Sequence, residues 1–122
     1  IIPEHNSVDL TNTAIQVSQG AFVHVPIYKC ININRLINDL KIQGFWIVGF
    51  ENTINAKKWY DLDYKEKIAL VFGSEGKGIR QKVMEKCDFL ATIPMKGEIS
   101  SLNVSASISA VVFERLRQIN DV

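Results

Sequence analysis

A chain of 122 residues, 47% hydrophobic and 22% charged, has enough apolar side chains for one real core and too few for two. Its formal net charge of +1 excludes a protein drawn to nucleic acid by bulk charge, so any basic surface is local. No apolar run is long enough to cross a bilayer, and no transmembrane segment is expected.

The opening IIPEH has no initiator Met and no signal-like pattern, and it reads as the end of a strand closing at residues 1–3. The expectation is a single domain over residues 1–122, truncated at its N-terminus. Residues 4–10 are polar enough for a loop. Residues 11–18 suit a short helix, with Thr11 as N-cap and Gly20 as its stop. FVHVPI at 22–27 reads as a strand with Pro26 at its end or edge. Over residues 33–43, Ile33, Leu36, Ile37 and Leu40 share one helical face, with Asn32 as cap and Gly44 as stop. FWIVGF at 45–50 is nearly continuous apolar, the pattern of a strand covered on both faces.

Residues 51–67 are irregular and polar, with Trp59, Tyr60 and Tyr64 interspersed. Such aromatics either stack on RNA bases or pin a loop to the core, and the second reading is favoured. IALVF at 68–72 is a strand, 79–87 a helix with Ile79, Val83 and Cys87 in line, and 89–93 a strand. A last helix runs from about 103 to 119. Val104, Ile108, Val111, Val112, Leu116 and Ile119 form its apolar face, while Glu114, Arg115, Arg117 and Gln118 mostly point away. Strands alternating with helices predict an α/β domain with a mainly parallel sheet flanked by helices. Cys30 and Cys87 share no CxxC or neighbouring His and read as free thiols in a reducing cytosol, with no metal site. His5 and His24 are isolated and read as surface or strand-edge residues.

Two ligand-type loops each follow a strand end, where parallel α/β sheets bind ligands. GSEGKG at 73–78 lacks the P-loop spacing, because Lys77 is followed by Gly78, and it lacks the GxGxxG spacing too. Its glycines permit positive φ and close backbone approach, and Glu75 near a helix start is explained by the helix dipole alone. In the second loop, Ser100, Ser101, Asn103, Ser105, Ser107 and Ser109 crowd the start of an apolar helix. Either Ser101 or Asn103 is an N-cap, or both aim polar groups into a pocket.

Taken together and in this order, LVFGSEGKGI at 70–79 and IPMKGEISSLNVSASISAVVFE at 93–114 resemble the SpoU/TrmH family of RNA ribose 2′-O-methyltransferases, of the SPOUT superfamily. The resemblance extends to IIPEH, QGAFVHVPI and WIVGF, and so covers essentially the whole chain. It implies a C-terminal deep trefoil knot, one of the rare exceptions to unknotted connection. It implies S-adenosyl-L-methionine as methyl donor, held by Gly73, Ile93 and Leu102 with Gly76 and Met95 close by. It implies methyl transfer to a ribose 2′-hydroxyl of ribosomal or transfer RNA, with guanosine in ribosomal RNA favoured, and Glu75, Ser101 and Asn103 as the catalytic polar set. Lys77, Arg80, Lys82 and Lys96 flank the loops as an RNA-phosphate rim or as plain surface charge; of these, Lys77, Arg80 and Lys96 are the RNA-binding candidates. A homodimer through the knot region, in the cytoplasm and without membrane or metal, completes the expectation. One departure stands out: the family's first motif, with its arginine, would lie before Ile1, so the alternative is a non-catalytic or truncated donor- or RNA-binding module.

Overall fold

The computed structural model describes residues 1–4, 10–74 and 76–120, so His5 and Glu75 lie outside the described residues. The chain divides into two compact units, Ile1–Leu36 and Ile37–Val122.

In the first unit, β1 (Ile2–Pro3) pairs in parallel with β2 (Lys29–Cys30). Between them, α1 (Asn12–Val17) starts where the Thr11 hydroxyl accepts the Ala14 amide at 3.1 Å. It ends at two left-handed residues, Gln19 at φ 51° and Gly20 at φ 85°. The strand predicted over 22–27 is not formed. A 3-10 turn occupies Ala21–His24 instead. The left-handed pair swings the chain round so that the Ala21 and Val23 amides bond back to Ser18 and Gly20. Val23 and Val25 stay exposed, and pairing begins only beyond Pro26, which has no N–H to offer.

α2 (Ile33–Ile42) begins in the first unit and continues into the second. The Asn32 side chain accepts the Arg35 amide at 3.1 Å, and Gly44 at φ 90° follows the helix end. The second unit carries a four-stranded parallel sheet of β3 (Trp46–Phe50), β4 (Lys57–Lys58), β5 (Ile68–Phe72) and β6 (Phe89–Thr92). Its order is β4-β6-β3-β5. Ile47, Val48 and Gly49 of β3 are buried in succession, as a strand covered on both faces requires. α3 is shorter than predicted, Gln81–Lys86, because Arg80 is extended at ψ 144° and serves as its N-cap. Ile79 and Val83 are nonetheless both buried. Cys30 and Cys87 are free thiols, and burial raises the Cys87 pKa.

The core joins Val48, Leu62, Tyr64, Ala91 and Val111, with Trp59 packed against it. Tyr64 is fully buried and its hydroxyl donates to the Trp59 carbonyl, so these two rings pin residues 59–64 to the sheet rather than facing RNA. Tyr60 alone of the three is exposed.

α4 (Val104–Asn120) lies within a residue of its predicted bounds, but the predicted face is only partly right: Val111 is buried as expected, and most of its apolar partners are not. Ser107, Val111 and Glu114 are buried, whereas Ile108, Val112, Leu116 and Ile119 are exposed. The polar side chains win the inner face because each finds a partner there. The Gln118 amide donates to the Leu62 carbonyl and its oxygen accepts the Tyr64 amide at 2.7 Å. Arg115 donates to the Tyr64 and Glu66 carbonyls, and the Glu114 carboxylate accepts from Arg117 and Gln118. Satisfied in this way, buried polar groups cost little, and the helix turns its apolar stripe outward.

Candidate functional site

Phe50, Phe72 and Thr92 end β3, β5 and β6, and a hollow of about 640 Å³ opens at these carboxyl ends. That volume is of the size of small-molecule sites, ~300–1,000 Å³. Phe50 and Phe72 are among its lining residues, and their rings stack with 4.6 Å between centroids and 9° from parallel. Parallel strands place the loops that follow them at one end of the sheet, so segments distant in sequence converge here.

The first wall is the glycine-rich turn. A Cβ on Gly73 would stand 2.1 Å from the Gly78 carbonyl carbon, so glycine is required for the turn to close on itself. The Gly78 amide bonds to the Ser74 carbonyl at 2.9 Å, and Gly76 and Gly78 take φ of 80° and 69°. Gly78 also makes room for the Glu51 carboxylate, which accepts the Ile79 amide at 2.8 Å.

The second wall is the turn into α4. Asn103 caps the helix: its side-chain oxygen accepts the Ser105 amide at 2.9 Å and the Ser105 hydroxyl at 2.7 Å. The Ser107 and Ser109 hydroxyls bond back to the Asn103 and Ser105 carbonyls, which accounts for two of the crowded serines without a ligand. Asn52 ties this wall to the sheet, donating to the Ser100 carbonyl and accepting the Thr92 hydroxyl, each at 3.2 Å.

Of the predicted site residues, Gly73, Gly76, Lys77, Ile93, Ser101, Leu102 and Asn103 line this one hollow. Met95, Arg80 and Lys96 do not line it: Met95 is half-buried, Arg80 caps α3 from an exposed position, and Lys96 is exposed. Glu75 lies outside the described residues. Glu51, Asn52 and Thr92 were missed, although Glu51 and Asn52 directly follow a predicted strand and Thr92 is next to last in another, and the same strand-end rule would have found them.

A parallel α/β sheet with two loops converging at its carboxyl end is the arrangement in which α/β domains place their ligand sites. The sequence profile of the SpoU rRNA Methylase family matches residues 1–113, and the chain belongs to that family. It is 42% identical over 122 residues to a Staphylococcus aureus protein assigned to the TrmH family of tRNA/rRNA methyltransferases, spanning all of this chain and 49% of that protein. The fold is that of the SpoU methyltransferase AviRb from Streptomyces viridochromogenes, solved in complex with AdoMet, at a TM-score of 0.87 and 21% identity over 98% of this chain and 49% of that one. It is also similar to a solved RNA 2′-O ribose methyltransferase, with a TM-score of 0.79 and 25% identity over 91% of this chain and 43% of that one. The chain spans about half the length of the relatives it matches.

Proposed function

We propose that this chain is the donor-binding part of an RNA methyltransferase that uses S-adenosyl-L-methionine to methylate a ribose 2′-hydroxyl of ribosomal or transfer RNA, guanosine in ribosomal RNA being the favoured target. The observation that carries the reading is the single hollow shared by the turns at 73–78 and 100–104. It suits the donor in size, in the flat apolar surfaces of Phe50 and Phe72, and in the bare main chain at Gly76, where a Cβ would meet nothing. Gly73 and Gly76 would face the donor with backbone, and Ile93 and Leu102 would flank its adenine. When bound, the donor supplies a methyl group made electrophilic by its sulfonium. The chain's own task is to orient the acceptor ribose. Ser101 and Asn103, exposed at the rim of the hollow, offer a hydroxyl and an amide for that purpose, with Glu75 as third member of the polar set. A 2′-hydroxyl must also lose its proton, a role the family resemblance gives to an arginine that would lie before Ile1. Lys77, Arg80 and Lys96 would meet RNA phosphates around the opening.

The sheet order supports a knotted path. β6 lies between β3 and β4, so the connection through residues 51–56 crosses it, and Asn52 in that connection bonds to Thr92 and Ser100 on the segment beyond. The exposed stripe of α4 supports a homodimer, and the free thiols suit a cytosolic protein.

Titration calorimetry with S-adenosyl-L-methionine tests the site, and tritium transfer to unmodified ribosomal or transfer RNA tests the activity. A folded chain that takes up no donor ends the reading. Donor binding without transfer leaves a binding module.

A further inference from the structure

Glu51 and Lys77 are the only charged side chains among the described residues that line the hollow. Lys77 is exposed, but Glu51 is half-buried, and its backbone N–H donates to the Ala91 carbonyl at 3.0 Å. Its carboxylate packs against Gly78, where a Cβ would come within 2.5 Å of one oxygen and 2.8 Å of the other. One oxygen accepts the Ile79 amide, and among the described residues no lysine or arginine forms an ion pair with this carboxylate. With one neutral donor among the described residues, the half-buried carboxylate keeps lone pairs free for a cation entering the hollow.

We infer that Glu51 is a specificity determinant that makes the hollow prefer a cationic nucleoside sulfonium over the neutral thioether left after methyl loss. The inference rests on the donor reading of this site. Charges attract more strongly at the wall of a partly closed hollow than in open water, and the neutral thioether offers the carboxylate nothing equivalent. Such a preference would speed exchange of spent donor for fresh.

Glu51→Gln is the informative variant, because a glutamine oxygen can still accept the Ile79 amide while the charge is gone. Calorimetry on the full chain should show S-adenosylmethionine affinity falling roughly tenfold in this variant and S-adenosylhomocysteine affinity changing less than about twofold. Equal changes for both ligands, or none for the sulfonium, overturn the inference and leave the donor site standing. Wild-type chain that binds neither ligand overturns both. If the variant does not fold, a salt series on wild type decides: sulfonium affinity should fall more steeply than thioether affinity as salt rises, and parallel slopes overturn the inference.

Discussion

Asn103 has one observed task, capping α4, and one proposed, orienting the acceptor ribose, and the two can be separated. Its side-chain oxygen caps α4 through the Ser105 amide, and its place on the wall of the hollow leaves the amide nitrogen for the acceptor. Asn103→Ala removes both and should cost about 1 kcal/mol in urea unfolding. Asn103→Asp keeps a capping oxygen and adds a charge that the helix N-terminus favours, so its stability should match or exceed wild type. If the amide nitrogen serves the ribose, methyl transfer should drop at least tenfold in both variants. Transfer that tracks stability alone would reduce Asn103 to a cap. Gly73 carries a different lesson. Its need for glycine was legible in the sequence, but one reason was not: a Cβ there would collide with the Gly78 backbone of its own turn. Gly73→Ala forces backbone atoms apart and should destabilise the chain by about 1–3 kcal/mol, with donor binding lost in the same variant.

At the scale of elements, periodicity found α4 to within one residue at each end yet placed Glu114 and Gln118 on the wrong side. Spacing reports which residues share a face. It does not report that Gln118 will meet Leu62 and Tyr64, more than fifty positions away, and thereby earn an inner position. The same limit produced the strand error at 22–27, where alternating apolar residues lack a neighbouring strand to pair with. Glu114 makes the inward polar face measurable. Hydrogen bonds from Arg117 and Gln118 lower its pKa from the usual carboxylate range to about 2, outweighing the opposing effect of burial. A depressed folded-state pKa means stability fully present above the unfolded value, ~4.3, and lost as pH falls through about 2. Acid titration of stability should therefore lose part of its slope between about pH 5 and 2 in Glu114→Gln. An unchanged slope would show that the carboxylate gains nothing from its partners.

At the scale of the molecule, the convergence of the two loops was legible because parallel strands have only one carboxyl end to offer. The strand order was not, since nothing in residues 57–58 announces a strand, and without it the crossing of β6 by residues 51–56 cannot be seen. The outward stripe of α4 is the other feature that emerges only at this scale. Ile108, Val112, Leu116 and Ile119 recur every three or four residues, each at least 39% exposed, with Phe113 beside them at 70%. A continuous apolar ridge of this kind on a helix whose inner face is already satisfied costs solubility unless another surface covers it. A second copy of the chain would present the same ridge and could cover it symmetrically. Sedimentation should then find a dimer at micromolar concentration, and Val112→Glu combined with Leu116→Glu should yield a monomer. Because both side chains already face solvent, the double variant should unfold within ~1 kcal/mol of the wild-type monomer, separating lost association from lost folding. A wild-type chain that sediments as a monomer, or a double variant that stays dimeric, would move the subunit contact away from α4.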